Sequence, residues 1–351
     1  MYTKKNYSAF QMAWWTRFET FLFIIIISVY VALYHFFDLT WLKIPWTPLA
    51  LIGTAVAFVV GFQNNSAYGR IWEARKIWGG IVNTSRTFGM FVQDMISNEY
   101  AEKPMSDELL RKEMKTLTYR HIAWMTALRR AMRMPKTWET AVNHRTNKEW
   151  DNKPPELSST LEEDIKDYIS KEDYAYVMRK DNKQTALLYL QSHHLKKLKE
   201  QGILWEFSFL ELEAVLKDLF TLQGQSERIK NFPYPRQFAT LNHFFMWVFV
   251  LLLPLALVPQ FGEIGIEIAE KSPLIGKFFV WATIPFYVIV AWIFHTMERI
   301  GRTGENPFEG TANDVPISTI ARGIEIDLRQ NLGETKEEIP IQFPMKFHTQ
   351  F

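Results

Sequence analysis

Residues 238–261 read FATLNHFFMWVFVLLLPLALVPQF, 24 positions without a charge. A helix needs about 20 apolar residues to cross a hydrocarbon core, so this stretch alone points to a membrane protein. Residues 278–297 give a second charge-free run, of 20 positions. Nearer the N-terminus, residues 21–37 are apolar apart from Ser28 and His35, and reach spanning length once Phe18 and the flanking aromatics are counted. Residues 48–62 make the remaining run. Pro45 and Pro48 start it late, Gly53 and Gly61 dilute it, and uncharged polar residues continue it to Gly69. The expected fold is an all-α integral membrane protein with four transmembrane helices. Residues 21–37 lack a small-residue cleavage site and run on to Trp41 and Trp46, so they read as a span and not as a signal peptide.

Bulk composition conceals this. The 351 residues carry 40 Lys+Arg against 38 Asp+Glu, a formal charge of +2. Their mean hydropathy of −0.12 would suit a soluble protein. The absence of cysteine excludes disulfides, thiolate metal sites, iron–sulfur clusters and a cysteine nucleophile. The near-neutral charge supplies no global footprint for nucleic acid.

The charges are sorted by side. The segment 38–46 holds one basic residue, Lys43, and the segment 262–277 holds Lys271 and Lys277 against Glu263, Glu267 and Glu270; the other 37 basic residues lie elsewhere. Positive charge beside spans marks the cytoplasmic side. Both termini and the long middle segment are therefore expected in the cytoplasm, on a multi-pass protein of the inner (cytoplasmic) membrane in contact with its lipids. Trp14, Trp15, Trp41, Trp46, Trp281 and Trp292 suit an interfacial belt.

Four segments follow. Residues 1–62 hold the N-terminal stretch and two spans, 63–237 a helical cytoplasmic domain, 238–297 two further spans, and 298–351 a helix and extended tail. The middle segment shows helical spacing of apolar residues, as in Leu204, Phe207, Leu210, Ala214, Leu216, Leu219 and Phe220. Ile122, Met125, Leu128 and Met132 mark another helix, with Arg129, Arg130 and Arg133 in its last turns. Ser158, Ser159 and Thr160 before Glu162 and Glu163 signal a capped helix start. Residues 143–155 read as a polar surface loop, and the tail beyond Gln330, with Pro340 and Pro344, reads as extended.

Within residues 48–62, Gly53, Ala57 and Gly61 recur every four positions, a small-residue ridge that lets helices approach. Thr54, Phe58 and Phe62 recur on the adjacent row. At 1.5 Å per residue they span about 12 Å. Such a row is ordinarily lipid-facing or packed in a core. Repeated around an axis, it makes an apolar constriction that gates by dewetting. Asn64 and Asn65, just below, suit either partly dehydrated ions or hydrogen bonds to neighbours.

The residues that follow carry a signature. Residues 64–79 read NNSAYGRIWEARKIWG, and 81–86 read IVNTSR; 224–231 read GQSERIKN, with Pro233 and Pro235 behind; Asn306-Pro307-Phe308, Asn313-Asp314-Val315-Pro316 and Ile324-Glu325-Ile326-Asp327 come last. These stretches, in this order over about residues 1–330, resemble the bacterial branch of the bestrophin family. Arg70, Trp72, Glu73, Arg75, Trp78, Asn83, Arg86, Glu227, Arg228, Pro307 and Phe308 carry the likeness. Departures are Ile71 where the family often has a second Trp, and Glu309 where it commonly has Gly. The calcium clasp of animal members, a run of consecutive acids, is here reduced to Glu305, Glu309 and Asp314. Since Ca²⁺ takes six to eight oxygens, no animal-type calcium activation is expected.

The resemblance implies a homopentameric channel for small monovalent ions. Its second span would line a hydrophobic neck at Thr54, Phe58 and Phe62. Thr54 departs from the aliphatic or aromatic residues usual there and makes that end wetter. The resemblance also implies a cytoplasmic constriction near Phe207, with Ile203 as the alternative. It leaves chloride or monovalent cations open, because animal members are chloride channels and a bacterial branch is associated with cations. Glu99, Glu102 and Glu213 are candidate pore acids or solvated residues, and Arg70 and Arg75 are expected to pair with Glu73 and acids of other subunits.

An enzyme is not expected. His193-His194 and His121 lack metal-ligand spacing, and no phosphate loop, dinucleotide fingerprint or nucleophile elbow occurs. No cofactor, metal or nucleic-acid partner is expected either. A transporter is disfavoured by the lack of paired interrupted spans and of intramembrane acids beyond Glu19. The alternative is a membrane-anchored scaffold or signalling protein with a closed pore.

Overall fold

The computed structural model describes residues 1–38, 41–139 and 153–351; most of the loop expected over 143–155 therefore lies outside the described residues. The described chain is all-helical, with isolated bridges such as Tyr2 with Thr349 but no strand. It forms two compact units. One comprises Lys4–Gly69 and Tyr234–Glu305, the other Met1–Thr3, Arg70–Pro233 and Asn306–Phe351.

The first unit holds the apolar helices. A short α1 (Ala9–Trp15) starts in a capping box between Ser8 and Gln11 and leads into α2 (Arg17–Phe37). Then comes α3 (Trp46–Met95, 50 residues), whose first half belongs to this unit. Helix α9 (Arg236–Ala269) follows later in the chain, and α10 (Pro273–Phe278) continues through the 3₁₀ turn Phe279–Ala282 into α11 (Thr283–Thr303). Among the described residues, four helical stretches are long and apolar enough to cross a membrane: Arg17–Phe37, Trp46–Met95, Arg236–Ala269 and Pro273–Thr303. One stripe of each is packed inward. Phe23, Ile27 and Val31, at four-residue spacing on α2, meet Leu49, Val56 and Val60 of α3, Met246, Phe249 and Leu253 of α9, and Tyr287 and Ala291 of α11. The other faces expose Phe21, Leu51, Phe244, Ile266 and Phe286, as lipid-facing helices do.

Helix α9 contains two prolines, Pro254 and Pro259. Each lacks an N–H, so the carbonyl four residues earlier loses its helical donor. In hydrocarbon a bare carbonyl is costly. Both are satisfied from outside the helix. The hydroxyl of Tyr287 donates to the carbonyl of Val250 at 3.1 Å, and the amide of Ile44 donates to the carbonyl of Leu255 at 3.2 Å.

The second unit is built on the rest of α3 with α4 (Asp107–Arg133), α5 (Leu161–Ile165), α6 (Lys171–Met178), α7 (Lys183–Glu200), α8 (Glu206–Asn231) and α12 (Ile317–Asn331). The starts follow the capping rules. Ser106 accepts from the Leu109 amide, Thr160 and Glu163 form the expected capping box, and Ser170 and Asn182 cap α6 and α7. Trp78, Ile81, Phe88 and Val92 of α3 make one stripe of the core, against Ile122, Trp124 and Leu128 of α4, Leu187 of α7, Leu219 of α8 and Ile324 of α12. Beyond Asn331 the chain is non-helical, and it ends with Phe351 buried and its carbonyl accepting from the Thr319 amide.

Candidate pore-lining face

The first half of α3 has two faces. Gly53, Val56, Val60, Gln63 and Ala67 are buried, whereas Thr54, Phe58, Phe62, Asn65 and Ser66 are exposed. Phe58 and Phe62 retain 65% and 55% of their accessible surface. The subunit's own core therefore does not use them. Their rings meet edge to face, with centroids 4.4 Å apart and planes at 86°, a favoured aromatic geometry. The Thr54 hydroxyl is turned back onto the helix, donating to the carbonyl of Ala50 at 2.9 Å. The small-residue ridge does not work as a single seam. An added Cβ on Gly53 would collide with the Phe249 ring at 2.7 Å, but Gly61 has nothing within 4 Å.

Asn64 takes the neighbour-bonded role, donating to the carbonyls of Val60 and Met297, each at 3.0 Å; Asn65 stays exposed. Beside them lies a cluster that sequence reasoning missed. Gln63, 1% exposed, donates through Nε2 to Glu305 Oε1 and accepts through Oε1 from Asn242 Nδ2, both at 3.0 Å. Arg236 holds the other oxygen of Glu305 at 2.7 Å. A signal was present: Gln63 follows Val56 and Val60 by seven and three positions, so it sits on the buried row.

In the other unit, Phe207 and Ile203 part company. Phe207 is 63% exposed at the start of α8, in an aromatic surface group with Trp205 and Tyr100. Ile203 is 1% exposed and belongs to the core, so its side chain is not available to a constriction. Glu99 and Glu102 are exposed, and Glu213 is half-buried.

Most residues of the family signature bind helices together. Arg70 does not pair with Glu73; it donates to the carbonyls of Ile229 and Phe232 at 3.0 and 2.9 Å, capping the end of α8. Glu73 pairs instead with Arg228. Glu227 accepts from Asn182, Gln184 and Gln223. Arg86 grips Asp327 of α12, Trp78 is fully buried near the Phe308 ring, and Arg133 donates to the carbonyl of Phe308 at 2.9 Å. The backbone carbonyl of Pro307 accepts from the Val315 amide. Trp72, Arg75 and Asn83 lie on exposed positions of α3.

The remaining candidates are also engaged within the fold. His194 bridges Arg120, at 2.9 Å, and Glu113, at 2.7 Å, and burial together with the Arg120 charge holds its pKa below the ordinary value. His121 stacks on Phe88 and Trp124, and burial pushes it down to about 3. Lys230 is buried against Glu139, and loss of hydration lowers its pKa despite that partner. Glu309 accepts from Asn306 Nδ2, and Asp314 accepts from the amides of Gly310 and Thr311. Among the described residues no group of three or more His, Asp or Glu side chains is placed to hold a metal ion.

Similarity to known proteins extends over most of the chain. A voltage-dependent anion channel-forming protein, YneE, of Escherichia coli K12 is 25% identical over 309 residues, covering 88% of this chain and 83% of its own length. The voltage-dependent anion channel-forming protein RSc3414 of Ralstonia nicotianae is 25% identical over 300 residues, covering 86% and 81%. The crystal structure of a bacterial bestrophin homolog from Klebsiella pneumoniae superposes with a TM-score of 0.71 at 18% identity, covering 91% of this chain and 98% of that one. The family model described as bacterial/fungal bestrophin protein matches residues 18–330, and the chain belongs to that family.

Proposed function

We propose that five copies of this chain form a channel for small monovalent ions, with α3 of each lining a narrow neck at Thr54, Phe58 and Phe62. The observation that carries this is the exposure of an aromatic row on the face of α3 that the subunit leaves uncovered. A ring of such side chains strips water from an ion and closes by dewetting. Thr54 makes the end of the neck nearest Trp46 less apolar than the phenyl rings, although its hydroxyl proton is engaged by the Ala50 carbonyl.

The assembly sits in the inner membrane. Both termini and residues 63–237 lie in the cytoplasm, where 37 of the 40 basic residues then fall. The carried ion is an anion. The names of the E. coli and Ralstonia relatives support this, and the hydrogen-bearing edge of an aromatic ring carries the positive end of its quadrupole. Phe207, at its exposed place on the other unit, forms a second, cytoplasmic ring. The family signature holds the cytoplasmic helices together and takes no part in permeation. Neither a cofactor nor enzymatic turnover is involved.

Purified protein in planar bilayers tests the reading. Single-channel steps, and a reversal potential in a NaCl gradient close to the chloride equilibrium value, are expected. Reversal near the sodium value would leave the channel standing and overturn the anion assignment. Silence from well-folded pentamers would favour the membrane-anchored scaffold, and a stable monomer in detergent would remove the pore altogether.

A further inference from the structure

The face that α3 presents is set by its rotation about its own axis, since each residue turns the helix by about 100°. The apolar contacts of Val56 and Val60 hold the helix down without fixing that angle, because the hydrophobic effect is non-directional. Directional contacts do fix it, among them the bond from Asn64 Nδ2 to the Met297 carbonyl of α11 at 3.0 Å. At one end the Phe249 ring fills the place of a Gly53 side chain. At the other, Gln63 meets α9 through Asn242 and, through Glu305, the chain two residues past the end of α11. Gly301 of α11 allows the close approach, since a Cβ there would lie 3.2 Å from Gln63 Cγ and 3.1 Å from Asn64 Oδ1. Turning α3 would break two hydrogen bonds at a site 1% exposed, where no water replaces them.

We infer that Gln63 is a positioning residue. Bonded to Asn242 and Glu305, it shares with Asn64 the hold on the rotation of α3 that turns Phe58 and Phe62 outward from the subunit. The inference deepens the proposed pore, and rests on it for its functional consequence. The rotation itself can be measured without any current.

The chain contains no cysteine, so single thiols can be placed without background. Ser66 lies on the exposed row and Ala67, 3% exposed, on the buried one. Ser66→Cys and Ala67→Cys are made separately in the full-length protein, and maleimide labelling rates are compared with and without Gln63→Leu. A turn of α3 slows labelling at position 66 and speeds it at position 67, each by about thirty-fold, the size set by the two buried hydrogen bonds that Gln63→Leu removes. General loosening speeds both. Unchanged rates, or acceleration at both positions, would overturn the inference. In bilayers, Gln63→Leu changes open probability about ten-fold while unitary conductance and reversal potential stay at the parent values. A change in unitary conductance like that of Phe62→Ala would instead place Gln63 in the ion path and overturn the positioning role. A parent protein that passes no current refutes the channel and leaves the labelling result to decide the rotation.

Discussion

The two halves of α3 solve opposite problems with one continuous helix. In the half ending at Gly69, the buried stripe is narrow and the opposite face carries uncovered aromatics. In the half beginning at Arg70, large side chains such as Trp78, Phe88 and Val92 are fully buried, and the flanks carry paired charges, Glu73 with Arg228 and Arg86 with Asp327. The second half is consumed by its own subunit's core. The first leaves an aromatic row uncovered by its own subunit. Under the proposed function, apolar area means stability in one half and ion passage in the other, and substitutions separate the two.

The largest effect is expected in the second half. Trp78→Ala empties a fully buried site and should destabilise the protein by about 3–5 kcal/mol, read as a fall in the detergent unfolding midpoint. A graded effect, reaching a similar size only near pH 3, comes from His121, packed on Phe88 of the same half. Its pKa is about 3 when folded and 6.5 when free. The unfolded chain binds the proton more readily, so the stabilising contribution is complete above about pH 6.5 and declines towards pH 3. The slope is about 1.4 kcal/mol per pH unit. Denaturant midpoints should fall across that window, and His121→Phe should flatten the decline. In the first half, Phe58→Ala should leave the unfolding midpoint within about 0.5 kcal/mol of the parent, yet raise single-channel conductance several-fold. A stability loss as large as that of Trp78→Ala would show that the aromatic row belongs to a core after all. Least of all, Arg86→Ala removes an exposed ion pair and should cost about 0–1 kcal/mol, less still in high salt.

The four spans were legible because a membrane helix declares itself by length and lack of charge. So were the Thr160–Glu163 capping box and the placing of Thr54, Phe58 and Phe62 on one face, which depend only on spacing along one helix. What was not legible depends on neighbours far away in sequence. Arg70 lies three residues from Glu73, which suggested a pair, but the helix end at Ile229 and Phe232 offers it carbonyls without donors, and it takes those. Ile203 and Phe207 are both apolar and one turn apart. Only the fold shows that Ile203 enters the core, while Phe207 opens a helix on the surface. Gln63 looked like the beginning of a polar stretch, because its partners Asn242 and Glu305 are about 180 and 240 positions away.

The prolines of α9 bear on how the subunit is made. A span emerging from the ribosome usually finishes its own hydrogen bonding before the next one appears. The third span cannot. The carbonyl of Val250 waits for the hydroxyl of Tyr287, which lies in the span synthesised after it, whereas the carbonyl of Leu255 finds the amide of Ile44 in chain already made. Biogenesis is therefore expected to follow an order: the third span can settle against the segment before α3 early, and completes its hydrogen bonding only once the fourth is present. A chain truncated before residue 287 should remain a target for membrane quality control even though three of its four spans have been inserted.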